Sequence, residues 1–111
     1  MPSCMRILLD ECVTKRLKLY FPQHEVATVT KKGWSGLKNG QLMAAASGEE
    51  FDIILTIDKN LHHQQNIGKY PLIVAILNTP SSKQEMLITF LPSFEKQIPA
   101  FTKGNAYLIE I

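Results

Sequence analysis

Cysteine is scarce: the chain has 111 residues and two cysteines, Cys4 and Cys12. Two are too few for a disulfide framework or a four-thiolate metal site. An apolar run between them holds them far apart if it is extended, so both read as reduced thiols. Long hydrophobic stretches are missing too. No run approaches the ~18 apolar residues of a membrane span. Arg6 and Asp10 interrupt any signal-peptide core. The expectation is a cytoplasmic chain with no membrane partner. A dominant charge sign is lacking as well, since 12 Lys+Arg against 10 Asp+Glu leave +2, too little by itself to argue for a polyanion. There is no internal repeat or low-complexity tract, and Trp34 is the one tryptophan.

What is present is globular. Hydrophobic content of 45% and charged content of 20% exclude a disordered chain. The length is that of one domain, so residues 1–111 are read as a single unit. A chain of this size buries roughly two thirds of its unfolded surface. Charge is unevenly placed. Residues 1–38 carry seven basic groups (Arg6, Lys15, Arg16, Lys18, Lys31, Lys32, Lys38) against three acids (Asp10, Glu11, Glu25). Solvated helix faces often produce such a bias, and polyanion partners do as well.

Hydrophobic periodicity divides the chain into alternating elements. Residues 5–9 (MRILL), 51–57 (FDIILTI) and 71–77 (PLIVAIL) are nearly continuous apolar runs, the pattern of strands buried on both faces. Residues 24–30 (HEVATVT) and 105–111 (NAYLIEI) alternate and read as edge strands. Between them, Val13, Leu17, Tyr20 and Phe21 have helical spacing over 12–21, stopped by Pro22. A glycine-containing loop over 31–38 carries Trp34, whose role is packing over the sheet end or stacking on a base. Asn39 is placed to cap an alanine-rich helix over 40–47. The polar segment 59–67 reads as a loop or a few helical turns. Ser82 and Glu85 have capping-box spacing. The stripe Leu87, Phe90, Leu91, Phe94, Ile98 and Phe101 predicts a helix that Pro92 kinks or splits. Such alternation predicts an α/β fold: a single-domain, three-layer α/β/α arrangement around a five-stranded, mainly parallel sheet of order 2-1-3-4-5.

Ligands of an open parallel sheet sit beyond the carboxyl ends of the strands where the order reverses, here between the first and third strands. Asp10 and Glu11 close the first and Asp58 closes the third. Neighbouring parallel strands lie about 4.8 Å apart, so Asp10 and Asp58 project into one crevice. Carboxylates that close share a proton or hold a cation. Hard oxygen donors suit Mg²⁺ or Mn²⁺, which keep waters and add substrate phosphate. Taken singly, each aspartate also suits a helix N-cap. Asn39 opens a helix near the same end. His62 stands four residues after Asp58 beside His63, and Gln64, Gln65 and Asn66 complete a polar run. Lys15, Arg16, Lys38 and Lys59 start from that end of the sheet. Basic residues around a cation site form a layout for gripping a phosphodiester, with the metal on the scissile phosphate.

Three segments, ILLDE at 7–11, GWSGLKNGQL at 33–42 and FDIILTIDKNLHHQQN at 51–66, together resemble the short PIN-like proteins of prokaryotes. These are relatives of the PIN-domain ribonucleases that act as toxins of toxin–antitoxin pairs. The resemblance spans about residues 5–77. It implies a PIN-like fold and a Mg²⁺- or Mn²⁺-dependent endoribonuclease, with RNA as substrate, an antitoxin as partner and a homodimer as assembly. Asp10 matches the strand-one aspartate and Asp58 the strand-three aspartate, with Glu11 an additional acid. Together these three are the implied catalytic and metal-binding set. Many relatives place a further acid at the start of the second helix, where this chain has Asn39. A non-catalytic module that binds RNA or an antitoxin is the alternative this departure raises. FDIILTID and PLIVAILNT also resemble strands of a phospho-acceptor receiver domain. In that reading Asp58 is phosphorylated and Thr79 is the switch hydroxyl. A receiver also needs a lysine after the fifth strand, and none occurs at 105–111.

Overall fold

The first apolar run becomes β1 (Arg6–Leu9), and its position explains its composition: Ile7, Leu8 and Leu9 are fully buried. The computed structural model describes residues 4–59 and 67–111. Four more strands are β2 (Glu25–Thr28), β3 (Ile53–Thr56), β4 (Ile73–Leu77) and β5 (Ala106–Ile109). They form one sheet of order β2-β1-β3-β4-β5. All four pairings are parallel. Every residue of β3 and β4 is buried, whereas the edges carry exposed Glu25 and Leu108. The continuous apolar runs therefore occupy the centre, as a sheet covered on both faces requires.

Alternate strand positions feed different hydrophobic clusters. Ile7 and Leu9 pack with Leu17, Phe21, Leu87 and Phe94. Leu8 packs with Leu42, Met43, Ala46 and Phe51. Leu42, Met43 and Ala46 belong to α1 (Asn39–Gly48). Leu87 lies in α2 (Gln84–Ile88) and Phe94 in α3 (Leu91–Gln97). Phe94 is fully buried and meets Phe21 edge-on at 5.7 Å between ring centres. Burying a ring of this size contributes about 2–3 kcal/mol.

Several elements differ in detail from the sequence expectation. The helix expected over 12–21 is a 3₁₀ helix, Lys15–Tyr20, and Thr14 Oγ1 accepts the Arg16 N–H at 3.3 Å to start it. Val13, Leu17 and Phe21 are buried, but Tyr20 is 44% exposed and its hydroxyl takes a hydrogen bond from Gln84. The N-cap of α1 is Lys38 rather than Asn39, which is already helical. The Lys38 N–H is satisfied by Gln41 Oε1 at 3.1 Å. The Ser82–Glu85 capping box does not form. Instead Ser81 Oγ accepts the Lys83 N–H at 3.1 Å just before α2. Pro92 does split the apolar stripe. It sits in the first turn of α3, where a missing N–H leaves no bond unmade.

His24 ties β2 to α3. Its Nδ1 accepts the Met5 N–H at 3.0 Å, so Nε2 carries the proton and donates to the Glu95 carboxylate at 3.0 Å. At the amino end of the sheet, Asp52 accepts the Arg6 N–H at 2.8 Å and pairs with Lys103 at 2.9 Å. Among the described residues, no helix is long and apolar enough to cross a membrane.

Candidate functional site

The carboxyl ends of β1 and β3 meet around one hydroxyl. Asp10 directly follows β1, and its N–H continues the ladder to Leu55 O at 3.0 Å. Its side chain then turns across to β3. Oδ1 accepts the Glu11 N–H at 2.8 Å, and Oδ2 accepts the Thr56 hydroxyl at 2.7 Å. Thr56 Oγ1 also accepts the Asp58 N–H at 3.0 Å. Thr56 is fully buried, so one hydroxyl bridges the first aspartate to the backbone of the second. Within the Thr56-Ile57-Asp58 ending of the strand the threonine is a strut, and its partner stands 46 residues earlier in the chain.

Asp10, Glu11 and Asp58 line one side of a pocket of about 300 Å³, and Val29, Trp34, Leu37 and Leu42 form its apolar wall. The loop bearing Trp34 turns at Gly33 and Gly36, whose φ values of 78° and 86° lie in the left-handed region. Trp34 packs edge-on against Phe51 at 6.2 Å while still facing the pocket. The packing role expected for this ring is present, and the ring is also pocket wall.

Cys12 lines the same pocket. Its thiol donates to Asp10 Oδ2 at 3.6 Å and lies 3.5 Å from Thr56 Oγ1. Burial pushes this thiol up, and the Asp10 charge adds to the rise. Hydrogen bonds from Thr56 and from the Ile57 backbone act in the opposite direction without cancelling it. Burial and the neighbouring carboxylate thus both favour the protonated thiol.

The remaining sequence candidates separate. Lys15 lines an adjoining cleft that also has Asp10 and Glu11 in its wall. Arg16 faces a different cleft with Lys83, Gln84 and Glu85. Lys59 Nζ lies 3.4 Å from Thr79 O, which it meets as a donor. Lys38 is exposed at the start of α1. Asn39 supplies the first residue of that helix. His62, with His63, Gln64, Gln65 and Asn66, lies outside the described residues.

Among the described residues, no three His, Cys, Asp or Glu side chains form a group able to hold a metal ion. The acidic residues that line the pocket are Asp10, Glu11 and Asp58, which offer hard carboxylate donors. Their number and hardness match an ion that keeps several waters and takes one or two carboxylates, the habit of Mg²⁺ and of the similar Mn²⁺. Comparison with protein-family models, with curated proteins and with solved structures gives no significant match.

Proposed function

We propose that this chain is a three-layer α/β/α, PIN-like ribonuclease whose centre is the pocket between β1 and β3, acting as the toxin of a toxin–antitoxin pair. The observation that carries the reading is the convergence of Asp10, Glu11 and Asp58 on one pocket at the switch point of a parallel sheet. Asp10 and Asp58 would hold a Mg²⁺ or Mn²⁺ ion, and when bound that ion neutralises phosphate charge and lowers the pKa of its water. Thr56 keeps the Asp10 carboxylate and the Asp58 backbone in register through its hydroxyl. The wall of Val29, Trp34, Leu37 and Leu42 excludes water from one side and offers an apolar surface to a base. Glu11 faces both this pocket and its neighbour. That location suits a third carboxylate that orients a water.

The test is cleavage of single-stranded RNA by the purified protein with Mg²⁺ or Mn²⁺. The wild-type chain cuts, EDTA stops it, and Asp10→Asn and Asp58→Asn each abolish it. Metal-dependent cutting that survives both substitutions rejects the site.

A non-catalytic RNA- or antitoxin-binding module is the second reading. It is favoured by Asn39, a neutral residue at the start of α1, where the resemblance expects an acid. The receiver reading shares the strand order and little else. The Thr79 hydroxyl is occupied by Ser81 O at 2.7 Å and by the Ser81 N–H at 3.1 Å. Glu110 rather than a lysine follows β5, and it pairs with Asn78.

A further inference from the structure

The pocket between β1 and β3 does not end at the carboxylates. Asp10 and Glu11 also belong to the wall of a second cleft, completed by Thr14, Lys15, Thr28 and Lys31. Lys15, Thr28 and Lys31 in turn line a third hollow, together with Lys18 and the β2 residues Val26 and Ala27. Shared lining residues set the three hollows side by side, and together they are read as one groove. It runs from the carboxylates along the flank of the edge strand β2 toward the amino end of the sheet.

Three lysines line it, and the local structure puts them there. Lys15 and Lys18 sit three apart in the 3₁₀ helix Lys15–Tyr20. Three residues complete one turn of such a helix, so their side chains eclipse on one face. The rise between them is about 6 Å, close to the step between successive phosphates of an extended nucleic-acid strand. Lys31 comes from the turn after β2, where its N–H is fixed on Thr28 Oγ1 at 3.0 Å.

The charge along the groove is unneutralised. Elsewhere Arg6 pairs with Glu25, Lys32 with Glu49 and Lys103 with Asp52, while the remaining basic side chains, unpaired among the described residues, lie outside the groove. Lys15, Lys18 and Lys31 are exposed and make no ion pair among the described residues. A row of unneutralised cations that leads to acids at one end suits a ligand with repeating negative charge and one segment delivered to the acidic end.

We propose that this groove is the track for the backbone of single-stranded RNA, with Lys15, Lys18 and Lys31 each holding a phosphate flanking the one presented to Asp10 and Asp58. The assignment rests on the ribonuclease reading for its direction, but its binding test does not need catalysis. Lysines are point-charge contacts, so the track carries affinity and not base preference.

The experiment measures fluorescence anisotropy of a labelled 12-nucleotide single-stranded RNA in EDTA across a salt series. Wild type is compared with Lys18→Gln/Lys31→Gln and with a control of equal charge loss, Lys69→Gln/Lys96→Gln, whose residues lie outside the groove. Unchanged thermal melting establishes that both variants fold. Each lost phosphate contact lowers the salt slope by about 0.7, so the groove variant loses about 1.4 in slope and roughly twentyfold in affinity at 0.1 M salt. The control stays within about twofold. Equal weakening of both variants overturns the proposal, as does polyglutamate competing as well as unlabelled RNA, which would make the groove a site for an acidic polypeptide. If binding ignores the groove lysines while Asp10- and Asp58-dependent cleavage persists, the track is wrong and the ribonuclease reading stands. If the groove lysines govern binding and no cleavage occurs, the reverse holds.

Discussion

Replacing Thr56 by valine keeps the shape of the side chain and removes the hydroxyl on which the site is hung. That hydroxyl donates to Asp10 Oδ2 at 2.7 Å and accepts from the Asp58 N–H at 3.0 Å in a fully buried position. A hydrogen bond to a charged group is worth about 1.5–3 kcal/mol and a neutral one about 0.5–1.5. Asp10 is only half-buried, so water recovers part of the first. The net loss is about 2 kcal/mol, which shifts the urea midpoint by about 1 M for a slope near 2 kcal/mol per M. Equilibrium denaturation followed by Trp34 fluorescence measures it, because that ring is the one tryptophan and packs beside the same pocket. Thr56→Ser retains the hydroxyl and recovers most of the loss. Freed from its strut, Asp10 also shifts, and cleavage by Thr56→Val falls by about a hundredfold, as displacements near 1 Å commonly produce. A Thr56→Val protein within 0.5 kcal/mol of wild type, cutting RNA at the wild-type rate, refutes the bridging role.

Further outcomes follow from the rest of the molecule. Burial raises the Asp52 carboxyl, but the Arg6 N–H and the Lys103 ammonium outweigh it and leave its pKa below the ordinary carboxylate value. The unfolded chain then binds more protons in that window. The stability from this group is therefore complete above about pH 4 and lost as pH falls through the lowered pKa. Acid denaturation of Asp52→Asn, compared with wild type, shows a shallower acid limb. Glu50 holds φ 62°, a left-handed conformation that disfavours side chains, so Glu50→Gly raises stability by about 0.5–1 kcal/mol in the same urea assay. Phe94→Ala, at a fully buried ring, costs about 3–5 kcal/mol by the same measurement.

The sheet was legible because its central strands are continuous apolar runs, and only a sheet covered on both faces asks for three of them. Strand order followed from which runs were apolar and which alternated. The ends were less legible. The expected strands over 51–57 and 105–111 are shorter in the fold, Ile53–Thr56 and Ala106–Ile109, and beyond their ends the Asp52 side chain accepts from Arg6 and that of Glu110 from Asn78. Asp10 and Asp58 stood out because each stops an apolar run abruptly. The Thr56 strut did not, since a threonine in a strand is ordinary and its partner is distant in sequence. Lys18 and Lys31 were visible only as part of the basic bias of residues 1–38, until the 3₁₀ helix and the turn after β2 set them beside Lys15. The His24–Glu95 pair spans 71 residues, and no local pattern announces it.

The central claim is that Asp10 and Asp58 act together on one divalent cation. Titrating Mn²⁺ into the protein and counting bound ions by electron paramagnetic resonance tests it most directly. The account predicts one ion per wild-type chain at the site and its loss in both Asp10→Asn and Asp58→Asn, with Lys18→Gln/Lys31→Gln unchanged. An ion that stays bound with undiminished affinity in both aspartate variants, or none bound by the wild-type chain, contradicts it.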